Sequence, residues 1–330
     1  MPAMTMREAI RTALAEEMRR DPDVFVIGED VAVYGGTLQV TAGLWNEFGD
    51  ERVIDTPLSE VAAAGAAIGA AMMGMRPVLE IMFADFIPLA HDQILNNAAK
   101  MCYAYDGEMS VPMVLRAPFG AGVRSGMHHC QNLEAWFAHI PGIKVLMPTT
   151  PEDAKGLLKA AIRDPDPVIF LEHKLLYGVR GETPEGEYIV PIGKAAVRKE
   201  GKDISIVACG AMTPKALDAA KELASSGIDA EVIDLRSIRP LDENAIVGSV
   251  RKTGRLLIVH EACQTGGIGG EIAAVVARDA LGYLDAPIER VTAPDTPVPF
   301  SPTLEDFFIP QTKAIVERAK GMFSPLWKSV

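Results

Sequence analysis

The sequence predicts an α/β protein made of two doubly wound domains. Short apolar runs bounded by turn residues alternate with helix-length segments along most of the chain. Such alternation indicates parallel sheets covered by helices on both faces. The periodicity fades once, between about Glu172 and Asp203, where Gly181-Glu182-Thr183-Pro184-Glu185-Gly186 is polar and rich in turn formers. The length of 330 residues suits two domains of ordinary size.

The first domain opens with a helix over Thr5–Arg20. Thr5 and Glu8 stand at capping-box spacing, so each side chain can satisfy a free backbone N–H at the helix start. Asp21-Pro22 ends it, and Val24–Ile27 reads as a short buried strand running into the turn Gly28-Glu29-Asp30. Arg52–Asp55 is a strand, Ser59–Met73 a helix, Pro77–Met82 a strand and Ile87–Tyr103 a helix. Pro112–Arg116 and Ile143–Met147 are further strands. Pro151–Arg163 is a helix with proline in its first turn, where a missing N–H costs nothing, and Pro167–Leu171 closes the series as a strand. After the linker come strand Ile204–Cys209, helix Pro214–Ala224, strand Ala230–Leu235, helix Asp242–Arg251, strand Leu256–His260, helix Gly270–Leu281, strand Ile288–Thr292 and helix Gln311–Ala319. The two series share a style without a residue-level repeat. The domains are placed at 1–187, linker included, and 188–330.

Hydrophobic residues make up 48% and charged residues 23%, ordinary globular usage that allows a substantial core. With 32 basic and 44 acidic residues the net charge is −12, which argues against a nucleic-acid binder. The start of the chain lacks a secretory pattern. No apolar run reaches the roughly 18 residues of a membrane span, and Val61–Met75, the nearest case, is Ala-rich and interrupted by glycine. No membrane association is expected. Cys102, Cys130, Cys209 and Cys263 form no C-x-x-C pair, which suits reduced thiols in a cytoplasmic protein.

Four segments carry candidate chemistry. In Asp55-Thr56-Pro57-Leu58-Ser59-Glu60 a strand ends, a proline turn follows and a helix begins, with Ser59 at the cap. Glu60 thus stands at the carboxyl end of a parallel strand, where open α/β sheets bind ligands. From spacing alone, a first-turn acid complementing the helix dipole is the commoner explanation. Phe83-Ala84-Asp85-Phe86 follows another strand; its aromatics suit either stacking on a flat ring or plain core packing. His128-His129-Cys130-Gln131 lies in a loop after Gly120, Gly122 and Gly126 and suits proton transfer or contact with a polar substrate. A metal site is the weaker reading, because adjacent side chains rarely converge on one ion and no spaced Cys or His stands nearby. Thr265-Gly266-Gly267-Ile268-Gly269-Gly270 suggests a phosphate cradle, yet it departs from both G-x-G-x-x-G and the P-loop, so a tight turn explains it better.

Taken together, these words resemble the beta subunit of the thiamine-diphosphate-dependent first component of 2-oxo acid and acetoin dehydrogenase complexes. The resemblance runs over nearly the whole chain. It rests on Gly28-Glu29-Asp30-Val31, Asp55–Glu60, Phe83–Phe86, Asp92-Gln93, Gly142-Ile143-Lys144-Val145, Asp153–Leu158, Val232-Ile233-Asp234-Leu235-Arg236 and Lys252-Thr253-Gly254-Arg255, in that order. It implies a pyrimidine-binding domain followed by a transketolase C-terminal-like domain. It also implies that Glu60 hydrogen-bonds the cofactor's aminopyrimidine ring and favours its imino tautomer, and that Leu58, Met82 and Phe86 line the pyrimidine pocket. His129 matches a histidine near the substrate and the incoming lipoyl group. Cys130 replaces the usual serine, and His128 is an extra histidine beside the matched one. The turn Ala161-Ile162-Arg163-Asp164-Pro165-Asp166 resembles a potassium-binding turn, through Ala161, Asp164 and Asp166.

The Gly-Asp-Gly word that holds magnesium and pyrophosphate in self-sufficient thiamine enzymes is missing. The near match Gly49-Asp50-Glu51 lacks the second glycine. The resemblance therefore implies an alpha subunit that holds magnesium, a two-alpha, two-beta tetramer that is active only when assembled, and a lipoyl-bearing dihydrolipoamide acyltransferase as acceptor. Glu172–Tyr177 and Thr292–Phe300 resemble acetoin-cleaving members, with pyruvate and branched-chain 2-oxo acids as alternative small carbonyl substrates. A decayed, non-catalytic assembly subunit and a self-sufficient transketolase-type enzyme are the rival classes; intact Glu60 and Phe86 oppose the first, and the missing Gly-Asp-Gly opposes the second.

Overall fold

The computed structural model describes residues 3–324, so the outermost ends of both expected domains lie outside the described residues. Two compact units emerge. The chain up to Gly120 together with Trp136–Ile192 forms the first, and Ala121–Ala135 together with the chain from Gly193 onward forms the second. Both are α/β, as expected.

In the first unit, helix α1 (Met6–Arg20) starts from Thr5 with the full capping box: Glu8 N–H donates to the Thr5 hydroxyl, and the Glu8 carboxylate accepts the Thr5 N–H at 2.7 Å. The strands are β1 (Val24–Gly28), β2 (Val53–Asp55), β3 (Arg76–Glu80), β4 (Val114–Phe119), β5 (Lys144–Leu146) and β6 (Val168–His173). They lie in the order β5-β6-β4-β3-β1-β2, all parallel. Central strands β1, β4 and β6 are buried along their whole length, which is why they read as unbroken apolar runs. Helix α2 (Glu60–Met72) links β2 to β3, and helix α3 (Pro151–Arg163) is capped by Thr150 and packs on α1. Glu16 on α1 meets Lys155 at 2.7 Å and Lys159 at 3.0 Å on α3.

In the second unit, β7 (Ala196–Lys199), β8 (Ile204–Ala208), β9 (Ala230–Asp234), β10 (Leu256–Cys263) and β11 (Glu289–Ala293) lie in the order β11-β10-β8-β9-β7, with only β7 antiparallel to its neighbour. Helices α4 (Met212–Ala224), α5 (Glu243–Thr253), α6 (Gly269–Asp279), α7 (Pro302–Phe308) and α8 (Thr312–Gly321) complete it.

Two sequence expectations are corrected. Ile87–Tyr103 is not one helix but a 3₁₀ turn over Ala84–Ala90, a π-helical turn over Gln93–Ala98 and a single α turn over Met101–Ala104. Pro88 lies inside the first piece, where it removes an N–H and crowds the preceding carbonyls. The Glu172–Asp203 stretch is not a plain linker. It contains the end of β6, the strand Arg180–Glu182 paired antiparallel with Ala3–Thr5, and strand β7. Helix α7 is an element that the periodicity did not reveal. Among the described residues no helix is long and apolar enough to cross a membrane.

Candidate active site

The chain order of the strands reverses between β1 and β3, so a crevice is expected at their carboxyl ends. The structure brings four sequence-predicted groups to that edge. Glu60 is the first residue of α2, following β2, and is half-buried. Ser59 occupies the cap position, but its side chain makes no capping hydrogen bond. Thr56 N–H donates to the Gly28 carbonyl at 2.9 Å, tying the β2 turn to the end of β1. Leu58 is 81% exposed, an apolar side chain with little protein cover of its own. Met82 and Phe86 follow β3 and are half-buried, in a turn against which α2 packs. Phe86 meets Phe83 edge to face, with ring centroids 6.0 Å apart. The Lys174 ammonium lies 5.4 Å from the Phe83 ring centroid, within cation–π range.

Glu29, at the end of β1, belongs to the same edge. Burial and then the charges of Glu60 and Asp30 push its carboxyl above the ordinary glutamate value, against a hydrogen bond from the Ser59 backbone. Directly beneath, Arg116 on β4 is almost wholly buried between two acids. Its guanidinium donates to both oxygens of Glu172 at 2.7 and 2.8 Å and to Glu80 at 2.8 Å. Tyr177 O–H donates to Glu172 at 2.5 Å, and Thr37 N–H to Glu80 at 2.7 Å. Burial pushes the Glu80 carboxyl up and Arg116 opposes it. Arg116, Glu80 and Thr37 escaped the sequence reading as site residues, and Glu172 and Tyr177 entered it only within the acetoin-like word. Their signal was a single Glu or Arg within each of three apolar runs, Pro77–Met82, Met113–Phe119 and Val168–His173.

His129 belongs to the second unit, in the Ala121–Ala135 segment, whereas Glu60 belongs to the first. His129 is half-buried, His128 exposed and Cys130 fully buried. Cys130 is therefore a core residue of its segment. His129 N–H reaches the Gly126 carbonyl at 3.4 Å. Within the same unit Glu261 and Glu305 bind this segment's backbone, with Ala121 N–H and Gly122 N–H each at 2.7 Å from a carboxylate oxygen. Nothing local in the sequence marks those two glutamates.

The remaining predicted positions have local partners. Lys144 Nζ meets Asp164 at 2.6 Å and Asp166 at 3.0 Å, and Arg76 donates to the Ile162 carbonyl at 2.8 Å and the Asp164 carbonyl at 3.3 Å. The buried Ala161 carbonyl accepts the Asp164 N–H at 3.2 Å. Lys144 thus sits on the carboxylates of that turn and Arg76 on its carbonyls. Asp50, in the near match to Gly-Asp-Gly, accepts the Trp45 indole N–H at 2.5 Å. Thr265 N–H and O–H both donate to Asp295, at 3.0 and 2.6 Å, and Gly267 and Gly269 lie against the His260 ring. Among the described residues no group of three or more His, Cys, Asp or Glu side chains is arranged to hold a metal ion. The four cysteines are free thiols.

Residues 2–180 match the family described as transketolase, pyrimidine binding domain, and residues 193–315 match transketolase, C-terminal domain. The 2-oxoisovalerate dehydrogenase subunit beta of Bacillus subtilis is 50% identical over 94% of this chain and 95% of its own length. The acetoin:2,6-dichlorophenolindophenol oxidoreductase subunit beta of Cupriavidus necator is 50% identical over 96% of each chain. The pyruvate dehydrogenase E1 component subunit beta of Rhizobium meliloti is 49% identical over 98% of this chain and 70% of that one. Among solved structures, a split-gene transketolase in an inactive beta4 tetramer superposes with a TM-score of 0.79 at 26% identity, covering 97% of this chain and 98% of that one. Their names imply an alpha partner, and mitochondrial and bacterial proteins are both among the relatives. The chain belongs to the beta subunits of the thiamine-diphosphate-dependent E1 component of 2-oxo acid and acetoin dehydrogenases, a family of oxidoreductases.

Proposed function

We propose that this chain supplies the pyrimidine side of a thiamine-diphosphate site and that its complex cleaves acetoin, passing the acyl group to a lipoyl-bearing dihydrolipoamide acyltransferase. The observation that carries the reading is the edge of the first sheet. A half-buried carboxylate, Glu60, stands there with the exposed Leu58 and with Met82 and Phe86 in the turn packed on its helix. A flat heteroaromatic ring carrying a protonatable nitrogen fits that set, because apolar side chains hold its faces and a carboxylate meets its edge. When bound, the cofactor supplies a nucleophilic carbon and an electron sink. Glu60 holds a proton at the ring nitrogen and so selects the tautomer. Leu58, Met82 and Phe86 orient the ring and exclude water. His129 holds or moves a proton near the carbonyl substrate and the acyl acceptor.

Magnesium and the diphosphate are assigned to an alpha subunit, in a two-alpha, two-beta assembly. The missing Gly-Asp-Gly word supports this, as does the use of Asp50 as a local acceptor for Trp45. The relative solved as an inactive beta4 tetramer supports the corollary that this chain alone is inactive. A potassium ion is assigned to the turn of Ala161, Asp164 and Asp166, whose oxygens suit a hard cation. The domain boundary at 187/188 and a cytoplasmic location complete the reading.

Acetoin is preferred over pyruvate and 2-oxoisovalerate. Glu172 and Tyr177 of the acetoin-like word lie in the buried Arg116 network, so the preference rests more on Thr292–Phe300, whose Phe300 ring lies on Gly126 in the His129 segment. The test is reconstitution with the alpha partner, followed by dichlorophenolindophenol reduction with each of the three substrates. Faster turnover with pyruvate or 2-oxoisovalerate overturns the substrate, and no turnover with any of them favours a decayed assembly subunit. Glu60→Gln is expected to slow hydrogen exchange at the thiazolium carbon by about 10²–10⁴-fold. Exchange at the wild-type rate would remove Glu60 from its role.

A further inference from the structure

The Ala121–Ala135 segment carries His129, and its backbone is held from far along the chain. Glu261 Oε1 accepts Ala121 N–H at 2.7 Å and the Asn132 side-chain amide at 3.1 Å, so one carboxylate grips the segment on both sides of His129. Glu305 is fully buried on α7. Its Oε1 accepts Gly122 N–H at 2.7 Å, and its Oε2 accepts Arg124 N–H at 3.2 Å and the Arg124 guanidinium at 2.7 Å. Arg124 also donates to the Pro302 carbonyl at 2.9 Å and to Asp306 at 2.7 Å. At Gly126, φ is +72°, and a Cβ there would stand 2.8 Å from the Phe300 ring, so only glycine lets the chain pass beneath it. Cys130 and Leu133 are buried, whereas Met127 and His128 face outward and His129 is half-buried. The segment is thus anchored before, beneath and after the histidine.

We propose that Glu261 and Glu305 are positioning residues for His129. Their carboxylates hold the segment in the one geometry from which the imidazole reaches the substrate and acyl acceptor. The second unit then has a direct part in the reaction, in addition to any part in assembly. Two features favour this over plain loop packing. Both carboxylates accept backbone N–H and side-chain donors of one short segment, where charge-assisted bonds fix position. A catalytic group displaced by about 1 Å can lose about 10²-fold in rate, so such anchoring has kinetic consequences.

The proposal rests on the reading of His129 given above. The test uses the full chain reconstituted with its alpha partner and compares Glu305→Gln, His129→Ala and the double variant. Glu305→Gln is expected to slow reductive acylation of a lipoyl domain about 10–100-fold while leaving hydrogen exchange at the thiazolium carbon within about twofold. The double variant should be no slower than His129→Ala alone, because the two act as one unit. Tryptic cleavage after Arg124 in the full chain should quicken with Glu305→Gln, a readout independent of turnover. Should Glu305→Gln fail to fold, Arg124→Gln removes the exposed half of the same grip and is expected to show the same kinetic partition at about 3–10-fold. Normal acylation in the Glu305 or Arg124 variant, with a slow His129→Ala, overturns the positioning role and leaves His129 standing. Normal acylation in His129→Ala overturns the underlying reading. Exchange and acylation falling together would mean general disruption, and the proposal would be withdrawn.

Discussion

Replacing Glu134 by glutamine should make the protein's stability less sensitive to pH. Glu134 is 1% exposed, and its Oε2 has no hydrogen-bond partner among the described residues. Burial pushes its carboxyl from the ordinary 4.5 up to about 7, the Glu261 charge adds to this, and a bond from its own backbone opposes it. Between pH 4.5 and 7 the folded chain therefore keeps a proton that the unfolded chain has released. The stability linked to that proton is fully present below 4.5, drains away as pH rises to about 7, and stays lost above. At 1.36 kcal/mol per pH unit the whole displacement is worth about 3 kcal/mol. A neutral amide of the same shape removes this titration. The difference in unfolding midpoint, variant minus wild type, should grow between pH 5 and pH 8. Between pH 5 and pH 8 about 2.5 kcal/mol of this is lost, and at about 2–4 °C per kcal/mol for a unit of this size the growth is about 5–10 °C. Scanning calorimetry at four pH values measures it, and a protonated-carboxyl infrared band at pH 6, lost in the variant, checks the cause. A difference that stays flat across this range, or shrinks as pH rises, would refute the reasoning.

Arg116→Met should destabilise the first unit by about 3–5 kcal/mol in urea titration, because it leaves Glu80 and Glu172 buried without their cation. A loss below 1 kcal/mol would mean that water or protons compensate the two acids. Two glycines should respond in opposite directions. Gly142→Ala places a Cβ 2.0 Å from the Ala99 carbonyl oxygen at φ +98°, so it should lose more than the ~1–2 kcal/mol of left-handed strain alone. Gly65→Ala, within α2 and with no atom inside 4 Å, should gain about 0.5–1 kcal/mol in the chain taken by itself, read from the same titrations.

What the sequence revealed divides by how local the cause is. Helix α1 was legible because Thr5 and Glu8, three residues apart, close its first turn themselves. Helix α3 announced itself through Thr150 and Pro151. The segment after β3 misled, because apolar spacing continued through Pro88 while the backbone could not. Strand Arg180–Glu182 was invisible, since its partner Ala3–Thr5 lies at the other end of the unit's sequence and neither stretch has a pattern of its own. The same rule governs the site. Glu60 could be placed at a strand end from its neighbours alone, and the family words then made it the candidate of interest. Arg116 meets acids 36 and 56 residues away, and Ala121 meets one 140 residues away, so no window of sequence contains either arrangement.

The buried acids fall into two groups that suggest different uses. Glu80 and Glu172 share Arg116, and Glu305 has Arg124 together with two backbone amides; these are compensated, and removing their cation is what destabilises. Among the described residues the half-buried Glu29 and the buried Glu134 show no ion pair with a Lys or Arg side chain, and burial raises both, as it raises Glu80. A buried acid without a cation costs stability, which a proton or a hydrogen-bond donor lessens. At Glu29 the acid stands beside Glu60, so the sheet edge carries two like charges in mutual repulsion. A ligand that brings a hydrogen-bond donor to this edge relieves that repulsion, whereas a ligand that brings a carboxylate or phosphate worsens it. Under the proposed function, this edge suits the pyrimidine end of the cofactor better than its diphosphate, in keeping with the missing Gly-Asp-Gly word.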